Sequence, residues 1–171
     1  MKRVFVDMDG VLVDFERYMR ENDQTGDEVK RMPGAYLLMH PVPYAIAAVC
    51  SLIGMGLDVW LATKPPTGVP HAYSEKYQWV MDYLPELKRK VIMTHHKGLL
   101  GDHGDVLIDD RPHKAHCDEF PGLLITHVSW EDTMEQVKRW HEHVPVDTQR
   151  SAAMARVSQE LGIPARWLQT R

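Results

Sequence analysis

Short apolar, β-branched runs alternate along this chain with segments whose apolar residues recur at helical spacing. Strands are expected at 3–7, 57–62, 90–93, 105–109 and 122–128. Between them, Pro43 to Gly56 reads as a helix, with proline early, apolar residues at helical spacing and glycine beyond the end. Tyr73 to Tyr83 reads as a second, bounded by Pro70 and Pro85. Glu131 to His143 reads as a third, capped near Ser129 or Trp130, with acids in its first turn and Pro145 as its stop. Such alternation predicts an α/β fold: a Rossmann-like parallel sheet with helices on both faces.

Two segments exceed a minimal sheet. Residues 14–42 are far longer than the ~2–6 residues of a plain loop in an α/β unit. They hold a charged, helical stretch from Asp14 to Arg31 and a Pro-Gly-Ala-Tyr turn. This predicts a small helical cap, about 14–43, inserted after the first strand, with the core at about 1–13 and 44–145. Beyond Val146, a helix is expected from about Thr148 to Leu161, with Met154, Val157 and Leu161 on one face. That stripe would pack on its own domain or serve as the arm of a homodimer.

Composition bounds the function more than it identifies it. With 171 residues, 44% apolar and 26% charged, the chain fits one soluble domain with a proper core. A net charge of −4 argues against a broad nucleic-acid surface, which would be basic. No run approaches the ~18 consecutive apolar residues of a membrane span, and Met1-Lys2-Arg3 leads straight into a strand rather than a signal peptide. Cys50 and Cys117 stand far apart, without metal or redox spacing, so a reducing cytoplasm is the expected compartment. The ten histidines fall into no His-Glu-x-x-His or Cys-x-x-Cys companion pattern, and no zinc site is expected from them.

The candidate chemistry sits at the ends of the strands. Val4-Phe5-Val6-Asp7-Met8-Asp9-Gly10 closes a strand with two aspartates one residue apart. Residues i and i+2 of an extended segment point the same way, so Asp7 and Asp9 share one small volume. Two such carboxylates call for a cation between them, and Gly10 permits a sharp turn that exposes backbone amides. Thr63 closes the second expected strand and is followed by Lys64. Lys97 follows the third, where it can reach a phosphate as a point charge. Asp109 and Asp110 follow the fourth, and burying two acids without a cation or donors would be costly. In a parallel sheet these ends line one edge, where open α/β folds bind ligands.

Taken in order, Asp7-x-Asp9-Gly10-Val11, Thr63, Lys97 and Asp109-Asp110 resemble the four motifs of the haloacid dehalogenase superfamily of phosphohydrolases. The stretches Asp7 to Phe15, Glu75-Lys76-Tyr77-x-Trp79-Val80 and Leu107 to Pro112 are further similar to the 5′(3′)-deoxyribonucleotidase family, over roughly residues 1 to 140. The resemblance implies Mg2+-dependent hydrolysis of nucleoside monophosphates; the alternatives are a phosphatase of the same superfamily for a sugar phosphate or a nucleic-acid 3′-phosphate, and a non-catalytic binding protein. Asp7 would be the nucleophile and Asp9 the acid and base. Mg2+ would be held by Asp7, the Asp9 carbonyl and one of the Asp109/Asp110 pair, with Asp110 favoured from the pattern in relatives and strand parity leaving both open. Candidate phosphate contacts are Thr63, Lys97, Lys64, which stands where relatives carry serine, and Met8 between the two aspartates. Phe15 matches an aromatic near the base in that family, and Tyr36 is a candidate second wall; both could equally just seal the cap.

Overall fold

The computed structural model describes residues 2–143, so the expected C-terminal helix lies outside the described residues. The described residues up to Arg139 form one compact unit, and of the second, from Trp140 onward, only the last turn of a helix is described. Five parallel strands make one sheet in the order β3-β2-β1-β4-β5. They are β1 (Arg3–Val6), β2 (Asp58–Thr63), β3 (Val91–Met93), β4 (Val106–Asp109) and β5 (Leu123–Thr126). The crossovers from β1 to β2 and from β2 to β3 carry α4 (Ala45–Gly54) and α5 (Pro70–Tyr83), and α6 (Trp130–His143) follows β5. Among the described residues, no helix is long and apolar enough to cross a membrane.

β1 is central because both its edges are paired: Val4 lies in register with Val59 on one side and Val106 on the other. A strand buried on both faces reads as a continuous apolar run, and β4 is buried at all four positions. On one side Phe5, Ala62, Leu107, Cys117 and Phe120 form a cluster, with Phe5 and Phe120 meeting edge to face at 6.0 Å. Burial of each large apolar side chain contributes about 1.5–3 kcal/mol, and this packing fixes where the strand ends stand.

The insertion after β1 holds three short helices, α1 (Phe15–Asn22), α2 (Gly26–Arg31) and α3 (Ala35–Leu38). The charged stretch is thus two helices rather than one, broken where Asp23 turns left-handed at φ 50°. Thr25 then restarts the chain with a reciprocal cap: its backbone N–H donates to Glu28, and its hydroxyl accepts from the Glu28 N–H. The two ends of the cap are stitched together by Asp14 N–H to His40 O at 2.9 Å and Val42 N–H to Leu12 O at 2.8 Å. Its far side docks on α5, where Trp79 Nε1 donates to Met39 O and Gly34 N–H donates to Glu75.

Boundaries moved in instructive places. α5 begins at Pro70 rather than after it, because proline has no N–H to lose at the first helical position and its φ already suits the helix. β2 extends through Thr63, whose carbonyl accepts from Thr94 N–H at 2.9 Å. Ser129 caps α6, accepting from Asp132 N–H through its hydroxyl and from Thr133 N–H through its carbonyl.

Candidate active site

The parallel sheet brings the ends of β1, β2 and β4 and the turn after β3 to one edge, and most of the expected residues meet there. Asp7 extends beyond β1, where its N–H donates to Ile108 O at 2.9 Å. Lys97, buried, reaches between two strand ends: its Nζ lies 2.6 Å from Asp7 Oδ1 and 2.6 Å from Asp109 Oδ2. Burial pulls an ammonium down, but the two carboxylates outweigh it and hold Lys97 above its ordinary value. For Asp7 burial dominates, pushing its carboxyl up to about 6 with help from Asp109 and Asp9 and against the pull of Lys97.

The Asp9 carboxylate is held by Lys76, which local sequence pattern does not mark as a site residue. Lys76, fully buried on α5, hydrogen-bonds Asp9 Oδ1 and also donates to Thr63 Oγ1 at 3.2 Å and to Met8 Sδ at 3.9 Å. Its ammonium stands 4.4 Å from the centre of the Tyr36 ring, a cation–π contact with the cap. Lys76 is buried on α5 with Ala72, Glu75, Trp79 and Val80, and a fully buried lysine is rare unless it is paired.

Asp109 and Asp110 part company. Both Asp109 oxygens are engaged, Oδ2 by Lys97 and by Cys117 Sγ at 3.2 Å, and Oδ1 by Arg111 N–H at 2.8 Å. Asp110 Oδ1 is buried and accepts no hydrogen bond among the described residues, with Arg111 Nε 3.5 Å away as an ion contact. Burial holds this carboxyl above its ordinary value, with Arg111 pulling it back. One oxygen from each of Asp7, Asp109 and Asp110 lies within 4.8 Å of the others. An all-oxygen, all-anionic donor set with one orphaned oxygen fits a hard divalent cation such as Mg2+. Gly10, at φ 82°, makes room, since a Cβ there would stand 2.5 Å from Asp110 Oδ2.

A cleft of about 400 Å³ opens over Asp7, Asp9, Lys97 and Asp109. Lys30, Arg31, Lys64, Arg111 and Lys114 also line it, with Asp27 among them. Tyr36 lines it from the cap, fully buried, its hydroxyl without a partner among the described residues. Thr63 and Met8 are buried and are not among the lining side chains. Phe15 lies elsewhere than expected for a wall of this cleft: it packs on Tyr36, ring centres 6.2 Å apart, and borders a neighbouring cavity with Gly10, Asp110 and His127. Asp9, Lys30 and Arg111 line both spaces.

Comparison with known proteins identifies the family. The model of the "5′ nucleotidase, deoxy (pyrimidine), cytosolic type C" protein family matches residues 27–149. The chain belongs to this family. Among relatives, a putative 5′(3′)-deoxyribonucleotidase of Vibrio phage KVP40 is 34% identical, the match covering 70% of this chain and 71% of the relative. The cytosolic-type 5′(3′)-deoxyribonucleotidase of Homo sapiens is 28% identical, covering 88% of this chain and 96% of its own. A putative 5′(3′)-deoxyribonucleotidase of Bordetella bronchiseptica is 30% identical, over 64% of this chain and 74% of the relative. As a member of this family the protein is a nucleotidase, and so a phosphatase.

Proposed function

We propose that this nucleotidase hydrolyses deoxynucleoside monophosphates, pyrimidine ones foremost, by a Mg2+-dependent route through a phosphoryl group carried on Asp7. The observation that carries the reading is the single strand edge at which Asp7, Asp109 and Asp110 converge beside buried Lys97. Mg2+, held by Asp7, Asp110 and the Asp9 backbone carbonyl with Asp109 behind them, would neutralise phosphate charge and orient the ester. Asp110 is favoured as a ligand because its Oδ1 is orphaned, whereas Asp109 is occupied by Lys97, Cys117 and Arg111.

The rest falls to the chain's own groups. An Asp7 oxygen attacks phosphorus and the bond to the leaving oxygen breaks as Asp9, carrying a proton on entering the step, delivers it to that oxygen, giving an acyl phosphate and a nucleoside. Asp9 then takes a proton from water, which attacks phosphorus and frees Asp7. Lys97 stabilises charge on the transferring group while keeping Asp7 in place. Lys76 fixes Asp9 and the Thr63 hydroxyl in one geometry, so that Thr63 contributes from beneath the phosphate seat. Lys64, exposed on the rim, and the backbone around Met8 complete the phosphate contacts. Tyr36 presents an unpartnered hydroxyl to the cleft, and Phe15 walls the adjoining cavity where a base would stack, with Lys30 and Arg111 bridging the two spaces.

The test is phosphate release from 5′- and 3′-nucleoside monophosphates and sugar phosphates, with Mg2+ and with EDTA, beside Asp7→Asn. Mg2+-dependent release led by deoxynucleotides supports the reading. Release led by sugar phosphates would retain the mechanism and overturn the substrate.

A further inference from the structure

The turn after β3 and the loop after β4 pack backbone against backbone. Lys97 N–H donates to Ala115 O at 2.7 Å. A Cβ at Gly98 would lie 2.6 Å from Glu119 Cβ and 2.8 Å from His116 O, so only glycine allows this approach. Three side chains converge at the seam. The His96 and His116 rings stack with centres 4.0 Å apart and 10° between their planes. His96 Nε2 stands 3.3 Å from Glu119 Oε2, and His116 Nδ1 stands 2.7 Å from Glu119 Oε1. One ligating atom from each of the three lies within 4.8 Å of the others. Two successive non-glycine residues, Ala115 and His116, are held left-handed here at φ 52° and 56°. That backbone region is uncommon for a side-chain-bearing residue and persists where its surroundings over-determine it.

We propose that His96, His116 and Glu119 form a second metal site, separate from the aspartate cluster, that takes zinc or a similar borderline transition ion. Imidazole nitrogens suit zinc, copper, iron or nickel, whereas the all-oxygen set around Asp7 suits magnesium. Two nitrogens and one carboxylate leave a position for water or a further ligand. A tetrahedral ion with ligands at about 2.0–2.1 Å spaces them about 3.4 Å apart. His96 already stands near that spacing from Glu119, whereas His116 is closer than it and draws back, and the stacked rings turn so that both nitrogens face one point. His96 Nδ1 is buried and unpartnered among the described residues, which leaves Nε2 as the nitrogen facing Glu119. Because His96 immediately precedes Lys97, an ion here would tie the turn that carries Lys97 to the loop after Asp110. The inference does not depend on which phosphate ester the enzyme hydrolyses.

Zn2+ is titrated calorimetrically into full-length protein stripped of transition metals and held in excess Mg2+, which occupies hard-oxygen sites. His116→Asn keeps a residue that tolerates the left-handed backbone, and Glu119→Gln keeps the shape. One equivalent of zinc on the wild type is expected, weakened about tenfold or more in each variant, with Asp110→Asn unchanged. Imidazole NMR signals of the wild type give a reading that needs no variant: those of His96 and His116 should move together on adding Zn2+. Zinc binding that survives in both variants and vanishes in Asp110→Asn would overturn the site. So would imidazole signals of His96 and His116 that stay fixed while the other histidines shift.

Discussion

Lys76 and Asp9 form a buried ion pair that joins α5 to the turn after β1, and the same ammonium carries the Thr63 hydroxyl and faces the Tyr36 ring. Core, cap and candidate site therefore share one cation. Removing one partner of a buried pair leaves the other charge uncompensated, at about 3–5 kcal/mol. Lys76→Met should lower unfolding free energy in urea by roughly that amount. The double variant Lys76→Met/Asp9→Asn should recover part of the loss. Strict additivity of the two substitutions would mean that the pair carries no coupling.

Asp7→Asn should abolish phosphate release with the fold intact. Burial disfavours the Asp7 carboxylate in the metal-free protein, so the neutral amide should leave the melting temperature unchanged or raised. Calorimetry and a phosphate assay on one preparation separate the outcomes, and measurable turnover would remove Asp7 from the nucleophile's role.

Metal binding should be readable without turnover. A ligand present at about 100 times its dissociation constant adds roughly 2.7 kcal/mol to the folded state. Mg2+ should therefore raise the wild-type melting temperature by several degrees and EDTA should reverse it. Asp110→Asn should lose that response. If Asp109→Asn loses it instead while Asp110→Asn keeps it, the two acids exchange the assigned roles.

Phe15→Ala should separate base recognition from chemistry. Stacking on an aromatic contributes about 1–3 kcal/mol per base, so kcat/KM for deoxynucleotides should fall about tenfold or more. Hydrolysis of p-nitrophenyl phosphate, which has no base to stack, should change far less. An equal fall on both substrates would make Phe15 a prop for Tyr36 rather than a wall for the base.

His127 predicts a pH dependence. Its Nδ1 lies 2.8 Å from Thr133 Oγ1, and burial holds the imidazole below its ordinary value, against an opposing pull from Asp132. The unfolded chain then binds this proton more readily than the folded one. Stability present above the unfolded pKa of about 6.5 is lost as pH falls toward the lower folded value. Asp7 contributes with the opposite sign in the metal-free protein, so a comparison of melting curves of wild type and His127→Gln isolates the histidine. The wild type should lose more stability between about pH 7 and pH 5 than the variant.

Local pattern determined a good deal. The five strands, the helices between them, the insertion after β1 and the convergence of Asp7, Asp9, Lys97, Asp109 and Asp110 were legible, because apolar period and strand-end position are properties of neighbouring residues. The Asp109/Asp110 distinction was not, since it rests on which oxygens Lys97, Cys117 and Arg111 reach from three separate segments. Lys76 was in view as a helix residue, yet its service to Asp9 and Thr63 depends on how α5 lies across the sheet edge. The histidines carry no spacing motif, and it is the packing of two loops at Gly98 that brings His96 to His116 and Glu119. Sequence periodicity records what a residue's own element requires; which distant side chain shares its charge is decided when the chain closes around it.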